Sequence, residues 1–124
     1  NVLWFDTFDL DFKFKVDSGN IIKNIVQNTT GIVCYNDKIA VKVMNIIRDI
    51  GLSVPEDVSI VSFDDSELAL ASDPKLTTVA HPKEQLGVMA AESIIQMIKR
   101  KVNYFDEKIE PKLIVRNSTK QRQE

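Results

Sequence analysis

The sequence is poor in the residues that crosslink small proteins or bind transition metals, with one cysteine and one histidine among 124 residues. A single cysteine, Cys34, excludes an internal disulfide framework and is typical of a reducing compartment. The sequence shows no Cys/His metal spacing, no Ser/His/Asp set and no glycine-rich phosphate loop. We therefore expect no catalytic activity, no metal and no cofactor.

Long apolar runs and an excess of one charge are also missing. No apolar run approaches the roughly 18 residues of a membrane-spanning helix, and the first residues lack the basic start and cleavage site of a secretory signal. We therefore expect a cytoplasmic location and no membrane partner. The formal net charge is only −2, and Lys and Arg do not cluster as they do on a nucleic-acid-binding face.

An alternation of strand-like and helix-like segments is the main positive signal. Hydrophobic residues make up 44% of the chain, which is enough to build a core. Short apolar runs predict strands and apolar residues at helical spacing predict helices. Strands are expected at 2–5, 32–35, 58–63 and 112–116, and helices at 20–27, 38–50 and 82–100. The stretch 66–81 is expected to be irregular apart from a short extended run at 77–80. This order predicts an α/β fold with a largely parallel sheet flanked by helices.

Two of the predicted strands end abruptly in polar residues. Asn36 and Asp37 follow the first strand, and Asp64 and Asp65 follow the second. Open α/β sheets bind their ligands at the carboxyl edge, where residues after parallel strands meet. Asp37 is expected to be the N-cap of the next helix, which Gly51 would close in a left-handed conformation. The pattern predicts a small-molecule site at this edge.

Four longer segments carry a family resemblance: TGIVCYNDKIAVKV, GLSVPEDVSIVSFDDS, LTTVAHPKEQLGVMAAESI and PKLIVRNST, in that order. Together they resemble the C-terminal part of the effector-binding domain of LacI/GalR-type transcriptional regulators, over residues 20–119. Within that family, CYNDKIAVKV and the pair DDS and AHPKE are similar to arabinose-responsive repressors, which carry a GntR-type N-terminal DNA-binding domain. The resemblance implies the C-terminal lobe of a type I periplasmic-binding-protein-like fold, plus a helix that belongs to the other lobe.

The resemblance also implies how the chain is divided between two lobes. Residues 1–81 would form an incomplete C-terminal lobe, and residues 82–110 would supply a helix and crossover segment of the N-terminal lobe. Residues 111–119 would return as the final strand of the C-terminal lobe, followed by a tail at 120–124. Because the DNA-binding headpiece and the first half of the sensor are missing, we expect the sequence to be a fragment.

Four residues would contact the effector according to the resemblance. Asn36 would bond sugar hydroxyls, since an amide both donates and accepts; alternatively it only turns the chain before the helix. Asp64 would accept bonds from adjacent hydroxyls or cap its loop, and Asp65 is expected to secure the loop that follows. His81 would face the effector or serve as a hydrogen-bonded hinge residue. Trp4 would offer a stacking surface or pack in the core.

The function implied is that of a sensor that is not an enzyme. A sugar effector, with L-arabinose as the first candidate, would close the lobes and rearrange a homodimer formed through residues 38–48 and 66–73. Operator DNA would bind only through the absent N-terminal domain. One alternative is a sugar-binding protein of a transport system, which is monomeric and secreted. Another is the acidic pocket of phosphoacceptor receiver domains, but there the aspartate pair follows the first strand.

Overall fold

Strands and helices alternate along the chain as the sequence pattern predicts. A computed structural model describes residues 23–26, 29–99, 106 and 108–121. Residues 23–26 are helical, whereas the rest of the helix predicted at 20–27 and the strand predicted at 2–5 lie outside the described residues. The other elements are β1 (Gly31–Val33), α1 (Asp37–Asp49), β2 (Ser59–Phe63), α2 (Glu67–Ala71), β3 (Thr77–Ala80), α3 (Lys83–Ile98) and β4 (Lys112–Ile114).

The strands form one sheet in the order β1-β2-β3-β4. β1, β2 and β3 are parallel neighbours, and β4 runs antiparallel to β3. The largely parallel α/β sheet predicted from the sequence is therefore confirmed. Since the first three strands point the same way, the residues that follow them all lie at one edge of the sheet.

The core lies between α1 and the sheet. α1 buries four apolar side chains at spacings of one to four residues, which places them on one face of the helix. They pack in one cluster with the fully buried Ile60 of β2. These residues are Ala40, Val43, Met44 and Ile47. An apolar stripe of this kind stabilises a helix mainly through tertiary packing rather than through intrinsic propensity.

Gly51 ends α1 as its sequence position predicts. Its φ angle is +80°, a left-handed conformation that glycine adopts without steric cost. The Gly51 amide donates to the carbonyl of Arg48 at 3.0 Å, and the Leu52 amide donates to the carbonyl of Ile47 at 3.0 Å. These bonds satisfy carbonyl groups that the last helical turn leaves without partners.

The prediction that residues 66–81 are irregular outside the extended run is wrong at one place, because Glu67–Ala71 form the short helix α2. With only five residues, α2 is too short to show a helical period in the sequence. Tertiary contacts hold it instead: Ala69 is fully buried and its carbonyl accepts a bond from the Leu76 amide at 2.9 Å. Packing decided this helix, not local pattern.

α3 is a helix whose apolar residues lie largely in solvent. It begins at Lys83, directly after Pro82, and Ser93 is the residue that it buries. Its large exposed side chains are Leu86, Val88, Ile94, Ile95, Met97 and Ile98. None of the helices in the described ranges combines the length and apolar character needed to cross a membrane. Within the described part of the chain, α3 therefore leaves its hydrophobic surface uncovered.

Candidate functional site

Three of the four predicted site residues lie at the same edge of the sheet. Asn36 follows β1, Asp64 follows β2 and His81 follows β3, and these three strands are parallel neighbours. The fourth, Trp4, lies outside the described residues. The edge therefore presents an amide, a carboxylate and an imidazole from three adjacent strands, which is the arrangement expected of a ligand site in an open α/β sheet.

Asn36 is the N-cap of α1. Its Oδ1 accepts a hydrogen bond from the Ile39 amide at 2.9 Å, in the position that a capping side chain takes. The prediction that Asp37 is this N-cap is therefore wrong, because the cap lies one residue earlier. Every buried side-chain nitrogen and oxygen among the described residues has a partner, so the Asn36 amide nitrogen, which has none there, is open to solvent. It remains available as a donor.

Asp37 instead lies at the centre of a buried hydrogen-bond network. Only 1% of the residue is exposed. Its Oδ1 accepts bonds from the hydroxyls of Ser62 at 2.5 Å and Thr78 at 2.9 Å. Its Oδ2 accepts bonds from the Ser66 amide at 2.7 Å and the Ser66 hydroxyl at 2.8 Å. One carboxylate thereby joins α1 to β2, to β3 and to the residue that precedes α2.

The network keeps Asp37 ionised despite its burial. Burial alone raises the pKa of the carboxyl, but the bonds from Ser62, Ser66 and Thr78 outweigh that effect and leave the pKa below its ordinary value. A pKa that is lower in the folded state means that the ionised form stabilises the fold. This stabilisation is present above the ordinary carboxyl pKa and is lost as the pH falls through the folded-state pKa.

The turn after β2 has an unusual backbone. Asp64 has a φ of 104° and Asp65 a φ of 46°, both in the left-handed region where residues with a Cβ are uncommon. The Asp64 amide donates to the carbonyl of Val79 at 3.0 Å, which extends the pairing of β2 with β3 into the turn. Strained backbone of this kind persists only where surrounding contacts hold it, and it is concentrated at functional sites.

The two aspartates of this turn make different contacts. Asp65 pairs with the Arg116 guanidinium, with Nη2 at 2.6 Å from Oδ1, and its amide lies 3.4 Å from the Thr78 hydroxyl. Asp64 has a side chain that is 41% exposed and lies 3.6 Å from Lys83 Nζ. An exposed ion pair of that length contributes little to stability. The Asp64 carboxylate is thus the one that a ligand can reach.

His81 and Phe63 form an aromatic pair at the ends of β3 and β2. Their ring centroids are 6.2 Å apart and the ring planes differ by 20°, a spacing within the range of favourable aromatic contacts. His81 is exposed, and Pro82 and α3 follow it directly. It therefore lies between the sheet edge and α3, as predicted. Its contact with an effector stays a prediction.

The groups at this edge are suited to polar recognition of a ligand. Burial raises the pKa of the Cys34 thiol from 9.0 to about 12, so this group is protonated and not nucleophilic at neutral pH. Among the described residues, no group of three or more His, Cys, Asp and Glu side chains could hold a metal ion. A carboxylate, an amide and an aromatic pair are suited to a neutral ligand with several hydroxyl groups.

Sequence reasoning missed the partners of Asp37, although a signal was present. Ser62 interrupts an apolar strand, and it lies beside Thr78 of the next strand in the sheet register. Both residues are fully buried. Since buried hydroxyl groups are nearly always hydrogen-bonded, two polar residues in predicted core strands indicate a shared polar partner. Only the register of the strands identifies that partner as Asp37.

Comparison with known proteins gives consistent matches. A family model described as a periplasmic binding protein-like domain matches residues 12–119. The chain is 53% identical over 97 residues to the arabinose metabolism transcriptional repressor of Geobacillus stearothermophilus, covering 77% of this chain and 27% of that protein. It is 47% identical over 105 residues to the protein of the same name from Halalkalibacterium halodurans, covering 80% and 28%.

A solved structure shows the same likeness in three dimensions. The chain is similar to the periplasmic binding protein/LacI transcriptional regulator from Alkaliphilus metalliredigens complexed with D-xylulofuranose, with 33% identity and a TM-score of 0.66. The match covers 82% of this chain and 38% of that one. The chain spans little more than a quarter of the length of the two curated relatives.

Proposed function

Because the chain belongs to the periplasmic binding protein-like domain family, we propose that it is part of the effector-binding domain of a sugar-responsive bacterial transcriptional repressor. Its relatives are transcriptional regulators, and we assign it a binding role and no catalytic one. Sugar binding would change the affinity of the whole protein for operator DNA, which a separate N-terminal domain would contact.

The observation that carries this proposal is the convergence of Asn36, Asp64 and His81 at one sheet edge. The exposed Asp64 carboxylate would accept bonds from two neighbouring hydroxyls, and an ionised acceptor makes stronger bonds than a neutral one. The free amide nitrogen of Asn36 would donate to a further hydroxyl. The His81 and Phe63 pair would bound the site on the side of α3, and Trp4 would supply a stacking surface.

The ligand class that fits best is a pentose. Two relatives are named as arabinose metabolism repressors, and the similar solved structure is a complex with D-xylulofuranose, a five-carbon sugar. The site residues carry one exposed carboxylate and the adjacent Lys83, so no excess of positive charge favours a phosphorylated sugar. L-arabinose is the first candidate.

We assign the segments on either side of His81 to two lobes. Residues 1–81 and 111–119 would belong to the C-terminal lobe, residues 82–110 to the N-terminal lobe, and residues 120–124 to a tail. The exposed apolar surface of α3 supports this division, because such a helix is stable when another layer covers it. Sugar binding between the lobes would shift the population toward a closed arrangement.

Two segments on the outer side of the C-terminal lobe would form a homodimer interface, at 38–48 and 66–73. They already adjoin, because Arg48 Nη2 donates to the carbonyl of Asp73 at 2.7 Å. Leu68 and Leu70 of α2 expose large apolar side chains there, as expected of an interface core. Operator DNA would be contacted in the cytoplasm, since a repressor acts on the chromosome.

Titration calorimetry of the full-length protein with L-arabinose, D-ribose and D-xylose tests the site. We expect Asp64→Asn to weaken binding of the preferred pentose by about tenfold or more, because a charge-assisted bond becomes neutral. Asn36→Ser keeps an oxygen for the N-cap but removes the amide donor, and we expect a several-fold loss without loss of the fold.

Asp57→Asn is the matched control, because the exposed Asp57 also accepts a backbone bond, from Ser53 at 2.8 Å, but precedes β2 at the opposite edge of the sheet. It should bind pentoses as the wild type does. Unchanged affinity in both Asp64→Asn and Asn36→Ser would refute the site. Failure of the wild type to bind any pentose would refute the ligand class.

A further inference from the structure

The left-handed turn after β2 is followed by a residue that Asp37 holds in place. Asp64 and Asp65 both have positive φ angles, a conformation that is unfavourable for any residue with a Cβ. The next residue, Ser66, is held at two atoms by the same side chain: its amide and its hydroxyl both donate to Asp37 Oδ2. The residue that follows the turn is therefore held by two hydrogen bonds to one carboxylate oxygen.

The other oxygen of the same carboxylate is hydrogen-bonded as well. Asp37 Oδ1 accepts bonds from Ser62 of β2 and Thr78 of β3, two residues that are partners in the sheet register. The Asp65 amide also donates to the Thr78 hydroxyl oxygen, at 3.4 Å. Asp37 therefore ties the end of the turn to the two strands from which the turn departs, at a site shielded from water.

We propose that Asp37 is a positioning residue for the sugar site: by clamping Ser66 to β2 and β3, it holds the Asp64 carboxylate in the left-handed turn where it meets the effector. This inference rests on the proposed function, since it assigns Asp64 as the group that contacts the sugar. Asp37 itself is buried beneath the turn and touches no ligand. Preorganisation of this kind lowers the cost of ordering a site at the moment of binding.

The chemistry of the clamp requires a carboxylate and not merely a polar residue of the same size. Hydroxyl groups of Ser62 and Thr78 can rotate to donate or accept, but the Ser66 backbone amide can only donate. In an Asp37→Asn variant, either the Oδ1 side or the Oδ2 side must present an NH2 group. If the oxygen stays with the strands, two donors face each other at Ser66. If the oxygen stays with Ser66, the NH2 group faces the Ser62 and Thr78 hydroxyls, whose own hydrogens then lose the acceptor that Oδ1 provides. In both orientations the link between Ser66 and the two strands is weakened.

Two readouts on the full-length protein test this role together. In Asp37→Asn we expect faster hydrogen exchange at the Ser66 amide, followed by NMR, and a loss of pentose affinity of about tenfold or more, the effect of losing a charge-assisted bond. Both are measured at a temperature at which all variants are folded. A variant that is only less stable keeps its affinity in the folded population.

Two control variants separate positioning from general stability. Ile47→Ala removes a fully buried side chain of α1 and lowers stability without touching the turn, so its Ser66 amide and its affinity should match the wild type below its unfolding transition. Asp57→Asn removes an exposed carboxylate that also accepts a backbone amide. Neither should change pentose binding.

Each outcome decides the proposal. A Ser66 amide that stays protected, whether or not binding weakens, would overturn it, and so would an exposed amide with unchanged binding. If Asp37→Asn does not fold, Ser66→Ala is tested instead, because it removes one of the two bonds to Oδ2. It should weaken pentose binding several-fold in a folded protein. Unchanged affinity in this variant would refute the proposal. If the wild type binds no pentose, the proposed function fails, and amide exchange still shows whether Asp37 holds the turn.

Discussion

At the scale of single residues, three aspartates near one sheet edge have different roles because their surroundings differ. Asp37 is buried and accepts four hydrogen bonds. Asp65 is paired with Arg116 at 2.6 Å. Asp64 keeps an accessible carboxylate on a strained backbone. Burial and the number of nearby hydrogen-bond donors, rather than residue type, decide which carboxylate supports the fold and which is available to a ligand.

Replacing Asp64 by glycine should separate stability from binding. Glycine adopts a φ of 104° without the Cβ penalty of about 1–2 kcal/mol, although it loses roughly 0.5–1 kcal/mol to the entropy of the unfolded chain. We therefore expect Asp64→Gly to leave the free energy of unfolding unchanged or to raise it by up to about 1 kcal/mol, while pentose binding weakens as in Asp64→Asn. Denaturant titration and calorimetry measure the two effects.

Asp57→Gly is the control for this experiment, because Asp57 does not have a positive φ and its carboxylate accepts a bond from the Ser53 amide. It should lose stability. A comparable loss in Asp64→Gly would mean that the side chain of Asp64, and not Asp37, maintains the left-handed turn.

At the scale of secondary-structure elements, the ends of the helices are where local chemistry and tertiary contacts meet. α1 begins at the Asn36 cap and ends at a left-handed Gly51, both of which are local features. Ser66 is the N-cap residue of α2, but its own side chain makes no cap bond and instead donates to Asp37. A residue distant in sequence therefore orders the start of α2, which explains why its sequence alone did not predict it.

Gly51 gives a direct test of the end of α1. A Cβ added to Gly51 would meet no atom within 4 Å, so Gly51→Ala adds only the backbone cost of a left-handed residue. We expect a loss of about 1 kcal/mol in the free energy of unfolding, measured by denaturant titration.

Gly31→Ala is the matched control, because its nearest neighbour would be a backbone oxygen at an ordinary 3.9 Å and its φ is not in the left-handed region. It should not lose stability. Equal effects in the two variants would contradict the assignment of Gly51 as the left-handed end of the helix.

At the scale of the whole molecule, α3 is the helix whose apolar face has no packing partner in the described part of the chain. In the described part of the chain its apolar side chains are exposed, with Ile94 at 57% and Ile98 at 74%. These residues are four positions apart and so lie on one face of the helix. The proposed division of the chain between two lobes accounts for this face, because residues 82–110 would pack into the lobe opposite the sheet.

Substitutions in α3 test that division in the full-length protein. If a second lobe covers this face, Ile94→Ser and Ile98→Ser should each lower the free energy of unfolding by about 1.5–3 kcal/mol, the value of burying one such side chain. Gln96→Ser, on the same helix, should change it by less than about 0.5 kcal/mol. Thermal unfolding measures all three. Small effects in both isoleucine variants would show that the face stays in water and would refute the division.

Much of the architecture followed from short-range pattern. The apolar runs before Asn36 and Asp64 and the helical spacing in α1 predicted the strand–helix order, and their polar ends predicted a ligand edge that the parallel register of β1, β2 and β3 then assembles. The assignment of Asp37 as the helix N-cap was wrong because Asn36 and Asp37 are both good caps. Local propensity does not distinguish them.

Local sequence was sufficient wherever the physical cause lies within a few residues: apolar periodicity, a glycine with positive φ, and the alternation that makes a parallel sheet. Tertiary structure alone decided that Asp37 is buried beneath the turn, since its donors Ser62 and Thr78 lie 25 and 41 residues away. The same holds for Ser118, whose hydroxyl joins Ile60 and Thr77 across two strands. Burial makes an unpaired polar group costly, so each such residue acquires its role only when distant strands bring its partners together.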